Sequence, residues 1–185
     1  MLKDKNIVLG ISGGIAAYKA CEIISLLKKA GANVDVIMTK NATEFITPLT
    51  VSTLAKSRAI VDTFEIPETY SPEHISLAKK ADIFLIAPAT ANIIGKVANG
   101  IADDMLSTTI MACPAKIVFA PAMNDNMYNN KIVQDNISKL KNYGYEFIDP
   151  AVGELACGTN GVGRLEEPKI IVERIDQMLE EQGNV

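Results

Sequence analysis

Four short runs of apolar, mostly β-branched residues constrain the fold of this chain more than any other feature. They lie at 7–11, 34–38, 83–87 and 117–120. One run contains a single polar residue and the other three contain none, which is typical of strands covered by helices on both faces of a parallel sheet. A weaker strand is predicted at 59–61, and a late one at 145–148.

Segments with helical spacing fill the intervals between these strands. The first helix should end at Gly31, and the predicted helices are 15–30, 72–80, 103–112, 131–143 and 168–181. Strand and helix alternate, which predicts one doubly wound α/β domain over 1–185, Rossmann-like or flavodoxin-like, with a mostly parallel sheet and helices on both faces. Loops at the carboxyl edge of such a sheet build the ligand site, so candidate residues are sought there.

Composition excludes several classes of partner. A formal charge of −4 offers no basic face for nucleic acid or an anionic membrane surface, and 5% aromatic residues without Trp offer no base-stacking surface. The N-terminus has no secretory pattern, and no apolar run reaches the length of a membrane span, so a cytoplasmic protein is expected. The three cysteines form no CxxC and should be free thiols. We expect no metal site.

The first strand runs into the loop G-I-S-G-G-I-A-A-Y-K, which begins at Gly10. Its glycines allow a tight turn that brings the N–H groups of a helix start against an anion. A dinucleotide fingerprint would have glycine at Ser12 and an acidic residue at the end of the second strand, where Thr39 and Lys40 stand instead. The pattern therefore favours a phosphate, and a plain strand-to-helix turn is the alternative.

His74 is the only histidine in the chain. It follows a polar stretch and enters a predicted helix, so it sits at a junction between elements instead of on an apolar face. Histidine is the side chain best suited to moving a proton near neutral pH, which makes His74 a candidate base. A structural or merely exposed histidine is the alternative.

Small residues dominate three further loops. The stretch 87–104 surrounds a Thr and an Asn with tiny residues, which would let a planar ligand approach the backbone, and Asp103 is a candidate N-cap there. In 120–128, Asn124 is either a turn residue or an amide for a substrate carboxylate. The stretch 153–164 is glycine-rich and contains Cys157, so we expect a mobile, lid-like loop with an unusual cysteine.

Five segments in this order resemble the homo-oligomeric flavin-containing cysteine decarboxylases over nearly the whole chain. They are S-G-G-I-A-A-Y-K, the helix entry at His74, A-P-A-T-A-N, P-A-M-N-D-N-M-Y and A-C-G-T-N-G-V-G-R-L. The resemblance implies bound FMN, with sites built between the subunits of a homotrimer that is sometimes assembled into a dodecamer.

The resemblance also implies roles for individual residues. His74 would be the catalytic base, Asn124 with Met127 would hold the substrate carboxylate and thiol end, and Cys157 would protonate the product. The remaining residues would contact FMN: Gly13, Gly14, Ile15 and Thr39 at the phosphate and ribityl chain, Thr90, Ala91, Asn92 and Ile93 at the isoalloxazine, and Ala122 nearby.

The implied reaction is decarboxylation of 4′-phosphopantothenoylcysteine to 4′-phosphopantetheine in coenzyme A biosynthesis. Oxidation of the substrate C–S unit gives a thioaldehyde. Loss of CO2 from the thioaldehyde gives an enethiolate, and the enethiol is then reduced again. Cys157 favours this reaction over that of the lantibiotic peptidyl-cysteine decarboxylases, which stop at the enethiol. A noncatalytic FMN-binding regulatory subunit is the other alternative.

Two departures from the family pattern affect the finer substrate contacts. Thr159 stands where many relatives have an acidic residue, and Lys79 where some have an arginine. The sequence also lacks the synthetase domain fused to many bacterial relatives, so a separate enzyme is expected to supply the substrate.

Overall fold

A computed structural model describes residues 1–64, 72–154, 158 and 160–183. Its strands are β1 Asn6–Ile11, β2 Asn33–Met38, β3 Ile83–Ala89, β4 Lys116–Pro121, β5 Glu146–Phe147, β6 Ala151–Glu154 and β7 Asn160–Arg164. Its α-helices are α1 Ala20–Lys29, α2 Pro48–Ala55, α3 Glu73–Lys80, α4 Ala91–Ala98, α5 Met105–Ala112, α6 Asp125–Tyr128, α7 Lys131–Asn142 and α8 Pro168–Gly183. Short 3₁₀ helices cover Ile15–Lys19 and Lys40–Glu44.

The five strands β1 to β5 form one parallel sheet in the order β2-β1-β3-β4-β5. This is the doubly wound α/β arrangement that the alternation of strands and helices predicts. Side chains alternate between the two faces of each strand: Ile7, Leu9 and Ile11 of β1 enter one core cluster, and Val8 enters the other. Helices α1, α2 and α8 cover the first cluster, whereas α3, α4, α5 and α7 cover the second.

All seven residues of β3 are buried, as expected for the central strand of a sheet with two covered faces. The four principal strand predictions and the late strand predicted at 145–148 are confirmed. The weaker strand predicted at 59–61 is wrong as a strand: the segment forms a single parallel bridge between Ile37 and Ile60.

Three elements differ from the sequence prediction. The tiny residues after β3 form helix α4 instead of an open loop, and Thr47 caps an unforeseen helix, α2, whose first residue is Pro48. The expected lid loop contains an antiparallel pair, β6 with β7. The predicted cap Asp103 is also wrong, because α5 is capped by Asp104, whose carboxylate accepts the Ser107 N–H at 2.7 Å.

Within the described residues, no helix combines the length and apolar character needed to cross a bilayer. Those residues likewise contain no cluster of three His, Cys, Asp or Glu side chains suited to a metal ion. Cys21 and Cys113 are free and half-buried, and burial raises the pKa of both thiols.

Candidate active site

A pocket of about 1440 Å³ opens at the carboxyl edge of the sheet. It lies around the ends of β1 and β3, where the strand order reverses direction and where open α/β sheets bind ligands. Its walls come from the segments after β1, β2, β3 and β4, from the start of α5 and from β7. A typical small-molecule site measures about 300–1,000 Å³, so this pocket has room for a cofactor and a substrate together.

Ser12 joins two of these segments. Its side chain is 1% exposed; Oγ donates to the Pro88 carbonyl at 2.7 Å and accepts the Thr90 N–H at 3.0 Å. The residue that replaces the first glycine of a dinucleotide fingerprint therefore ties the loop after β1 to the start of α4. Asp35, the acidic residue of β2, is not placed to bind a ribose, because its carboxylate pairs with Lys80 Nζ at 2.6 Å.

The two glycines after Ser12 have different surroundings. A Cβ on Gly13 would lie 2.4 Å from Asn41 Cβ and 2.7 Å from the Asn41 carbonyl carbon, so Gly13 is required by the close approach of the loop after β2. A Cβ on Gly14 would meet Thr90 Cγ2 only at 3.5 Å. Gly14 is the glycine that faces the pocket with space in front of it.

Two helical segments start at the pocket without a side-chain cap among the described residues. These are the 3₁₀ turn that begins at Ile15 and helix α4, which begins at Ala91. By contrast, the 3₁₀ turn after Thr39 and helix α5, which also border the pocket, are capped by Thr39 and Asp104. Uncapped N–H groups at a helix start attract anions and carbonyl oxygens, so both starts are suited to a polar ligand.

The pocket brings together most of the residues singled out by sequence. Its lining includes Gly13, Gly14, Ile15, Thr39, Thr90, Ala91, Asn92, Ala122, Asn124 and Met127. The Ile93 side chain cannot take the predicted role at the isoalloxazine, because it is 1% exposed and packs in the core cluster beneath α4. Only the backbone of Ile93, in the first turn of α4, can take part.

Two predicted catalytic residues are absent from the described lining of the pocket. His74 is in the first turn of α3, half-buried, and lies outside the pocket lining of its own chain. Cys157 lies outside the described residues. Asn124 is at the pocket wall, where its side-chain oxygen accepts the Asn126 N–H at 3.0 Å and caps α6.

The pair β6–β7 packs on the loop that carries Asn124. The Met123 N–H donates to the Gly163 carbonyl at 2.9 Å, and a Cβ on Gly161 would lie 2.7 Å from Asp125 Cβ. Beneath this contact, Asp125 Oδ1 is buried without a hydrogen-bond partner among the described residues. The strand pair β6–β7, where a lid-like loop was expected, is thus docked on the Asn124 loop through close contacts that only glycines permit.

Sequence reasoning assigned no role to Lys19, a charged residue of the pocket. Lys19 Nζ lies 3.4 Å from the Leu165 carbonyl and 3.7 Å from Glu167, which also pairs with Arg164. The position of Lys19, one turn beyond the glycine loop, was the available signal. The contacts with Leu165 and Glu167 span about 146 residues of sequence, which a local pattern does not reveal.

A second charged group borders α4. Lys96 Nζ lies 2.7 Å from Asp103 and 3.4 Å from Asp104. The hydrogen bond to Asp103 raises the pKa of Lys96, helped by the charge of Asp104, and the same bond lowers the pKa of Asp103. This group holds the end of the 99–104 loop against α4 and so shapes one wall of the pocket.

Comparisons with known proteins agree on one family. The model of the family described as Flavoprotein matches residues 1–180. The chain belongs to the Flavoprotein family. The pocket fits a flavin nucleotide, since uncapped helix starts suit a phosphate and polar ring edges, and small residues leave space for a planar group. This flavoprotein therefore carries a flavin cofactor.

Two relatives of this flavoprotein are informative. It is 50% identical over 182 residues to the coenzyme A biosynthesis bifunctional protein CoaBC of Bacillus subtilis, a match covering 98% of this chain and 45% of that protein. It is 42% identical over 177 residues to a probable phosphopantothenoylcysteine decarboxylase of Streptococcus mutans, covering 95% of this chain and 99% of that one. The chain thus spans less than half of the bifunctional relative and nearly all of the shorter one.

The fold resembles that of a PPC decarboxylase variant solved in complex with pantothenoylaminoethenethiol. The TM-score is 0.85 at 27% identity, covering 96% of this chain and all of the other. The described α/β architecture is therefore shared across almost the whole length of both chains.

Proposed function

We propose that this flavoprotein decarboxylates 4′-phosphopantothenoylcysteine to 4′-phosphopantetheine, with FMN as its flavin. The observation that carries the proposal is the placement of Asn124 in the same pocket as the two uncapped helix starts at Ile15 and Ala91. That arrangement offers one region for a phosphorylated planar cofactor and, beside it, an amide for a carboxylate. Likeness to decarboxylases over nearly all of both chains supports the same reaction.

FMN would be held mainly by backbone groups. The N–H groups at Gly14 and Ile15, with the Thr39 hydroxyl, would receive the phosphate, and the first turn of α4 would meet the ring edge. When bound, the flavin supplies a two-electron acceptor and donor for the substrate C–S unit, which gives the departing carboxylate an electron sink.

Asn124 would bind the substrate carboxylate. Its Oδ1 accepts the Asn126 N–H, which fixes the orientation of the amide, and an amide nitrogen donates hydrogen bonds. A carboxylate accepts such bonds, and CO2 does so more weakly, so Asn124 serves to orient the bond that breaks. Met127, 48% exposed, lies beside it and would cover the apolar part of the substrate.

His74 would accept the substrate thiol proton in the active site of a neighbouring subunit. The imidazole lies outside the pocket lining of its own chain, whereas large apolar side chains at the pocket rim are exposed, Phe64 to 91% and Ile15 to 59%. Exposed apolar groups around the rim of a pocket favour a subunit interface. A homotrimer or dodecamer would place His74 of one subunit against the pocket of the next.

Cys157 would deliver the proton that completes 4′-phosphopantetheine as the enethiol is reduced. This role rests on the sequence, where Cys157 belongs to the A-C-G-T-N-G segment that follows β6. The segment joins two strands that are docked on the Asn124 loop, so its flanks lie next to the proposed carboxylate site.

Mass spectrometry of the product tests this proposal. Purified yellow protein incubated with 4′-phosphopantothenoylcysteine should give a product lighter by about 44 mass units, one CO2. The Cys157→Ser variant should release CO2 but leave a product lighter by about 46, because the enethiol is not reduced. Loss of about 46 with the wild-type protein would instead indicate the peptide-modifying class. An unchanged substrate, with flavin bound, would contradict decarboxylation and favour a regulatory subunit.

A further inference from the structure

We propose that the ion pair between Arg58 and Glu73 positions the His74 imidazole, so that both residues are positioning residues for the reaction. The inference rests on the proposed function, in which His74 is the base. It concerns a contact between two segments in which neither Arg58 nor Glu73 lines the pocket, and no sequence pattern identifies it.

Helix α3 is short and buries few of its side chains. It is two turns long, and Leu77 and Ala78 are its only buried residues. Its N-cap residue is Pro72, and among the described residues no side chain caps this start. A short helix with an uncapped start frays readily at its first turn, which is where His74 lies.

Two ion pairs connect this helix to the edge of the sheet at β2. At the start of α3, the Arg58 guanidinium pairs with the Glu73 carboxylate. At the end, Lys80 Nζ lies 2.6 Å from Asp35 Oδ2 in the middle of β2. The apolar contacts fix the middle of α3, and these charges fix its two ends.

Arg58 is itself attached to rigid backbone. The adjacent Ala59 N–H donates to Ser52 Oγ of α2 at 2.9 Å, and the Ile60 N–H donates to the Val36 carbonyl of β2 at 2.9 Å. The Ile60 carbonyl in turn accepts the Met38 N–H at 2.9 Å. The Arg58 guanidinium extends from this segment and therefore connects the first turn of α3 to the edge of the sheet.

The same segment continues into the pocket wall. The pocket lining includes Val61, Asp62, Thr63 and Phe64. Arg58 precedes this stretch in the sequence and Glu73, fifteen residues after Arg58, follows it. The pair therefore connects the base of a pocket-lining segment with the first turn that carries His74. Loss of the pair should displace the imidazole without removing any group that contacts the substrate.

The chain provides a matched control in the Lys80–Asp35 pair. Both pairs connect α3 to the β2 edge and both are partly exposed, so each should contribute little to overall stability. They differ in position, since Glu73 adjoins His74 whereas Lys80 is six residues, about 9 Å, further along the helix. A general effect on α3 would appear in both variants, and a positioning effect only in the first.

The experiment compares Glu73→Gln and Lys80→Met in the flavin-loaded, full-length protein. We expect Glu73→Gln to lower kcat about tenfold with little change in KM, and Lys80→Met to leave kcat within about twofold. The double variant Arg58→Glu/Glu73→Arg should restore kcat to within about threefold of wild type by re-forming the pair in reverse. Equal losses in Glu73→Gln and Lys80→Met would overturn the proposal.

NMR of the untagged protein gives a readout that does not depend on activity. Since His74 is the only histidine, one imidazole Cε1–H signal reports it. We expect this signal to move toward the shift of a free histidine and to narrow in Glu73→Gln, and to stay in place in Lys80→Met. An unchanged signal in Glu73→Gln would refute positioning. Full activity of His74→Asn would instead refute the base assigned under the proposed function, and the NMR result would still decide the role of the pair.

Discussion

Ser12 shows how one buried hydroxyl organises the cofactor pocket. Its Oγ bonds to both the Pro88 carbonyl and the Thr90 N–H, and so holds the glycine loop against the start of α4. In Ser12→Ala the Thr90 N–H loses its hydrogen bond, whereas the Pro88 carbonyl keeps only the Ser12 N–H at 3.3 Å. The free energy of unfolding should therefore fall by about 1–3 kcal/mol. The substitution should also weaken flavin binding about tenfold, because the two uncapped helix starts are no longer held in fixed positions relative to each other.

Thermal unfolding and flavin titration of the apoprotein measure these two effects. Ser25→Ala is the matched control, since Ser25 Oγ also donates to a backbone carbonyl, that of Cys21 at 2.8 Å, but is exposed and far from the pocket. Equal flavin affinity in Ser12→Ala and Ser25→Ala would show that Ser12 supports the fold alone.

At the level of single residues, the sequence predicted which residues would line the pocket better than it predicted the structural reason for each one. Gly14, Thr90, Asn92 and Asn124 line the pocket as expected. Gly13 does too, but its lack of a side chain is required by Asn41, a contact from another loop. Ile93 turned inward because its place in an amphipathic helix is set by the core below it, and α4 itself was read as a loop.

At the scale of elements, the glycines of β7 determine how the strand pair docks. Gly163 has φ of +140°, and a Cβ there would lie 2.2 Å from the Met123 carbonyl oxygen. Gly163→Ala should therefore break the hydrogen bond from the Met123 N–H to the Gly163 carbonyl, with backbone strain of about 1–3 kcal/mol. Hydrogen exchange at the Met123 amide should become faster, and the rate of the proposed decarboxylation should fall as the Asn124 loop loses its support.

Gly153→Ala is the control within the same strand pair. The nearest atoms to a Cβ at Gly153 belong to the flexible Arg164 side chain, at 3.5 Å, so this substitution should be tolerated. Unchanged Met123 exchange in Gly163→Ala would contradict the docking argument.

The elements that sequence predicted well are those whose pattern repeats locally. Buried parallel strands are continuous apolar runs, and β1 to β4 were found within two residues of their ends. Helix α2 was missed because its signal is a cap, Thr47, followed by proline with little amphipathic contrast. The strand pair β6–β7 was missed because its glycine-rich sequence lacks an apolar strand pattern, and its docking contact with the Asn124 loop is distant in sequence.

At the scale of the whole molecule, the position of His74 outside its own pocket leads to a test by subunit mixing. If each active site combines His74 of one subunit with the pocket of another, a His74→Asn chain still contributes an intact pocket, and an Asn124→Asp chain still contributes an intact imidazole. Either variant alone should be inactive. Chains of the two variants assembled together in equal amounts should form complete sites in about a quarter of positions, and activity should return to about that fraction of wild type.

The control is the double variant His74→Asn/Asn124→Asp assembled with an equal amount of the Asn124→Asp variant. That mixture contains imidazoles but no intact pocket, so it should stay inactive whatever the assembly. Activity in the first mixture and none in the second would place the two residues on different subunits of one site. No activity in either, with mixed assembly verified by native mass spectrometry, would mean that His74 reaches the pocket of its own chain, and the exposed apolar rim around Phe64 would then need another explanation.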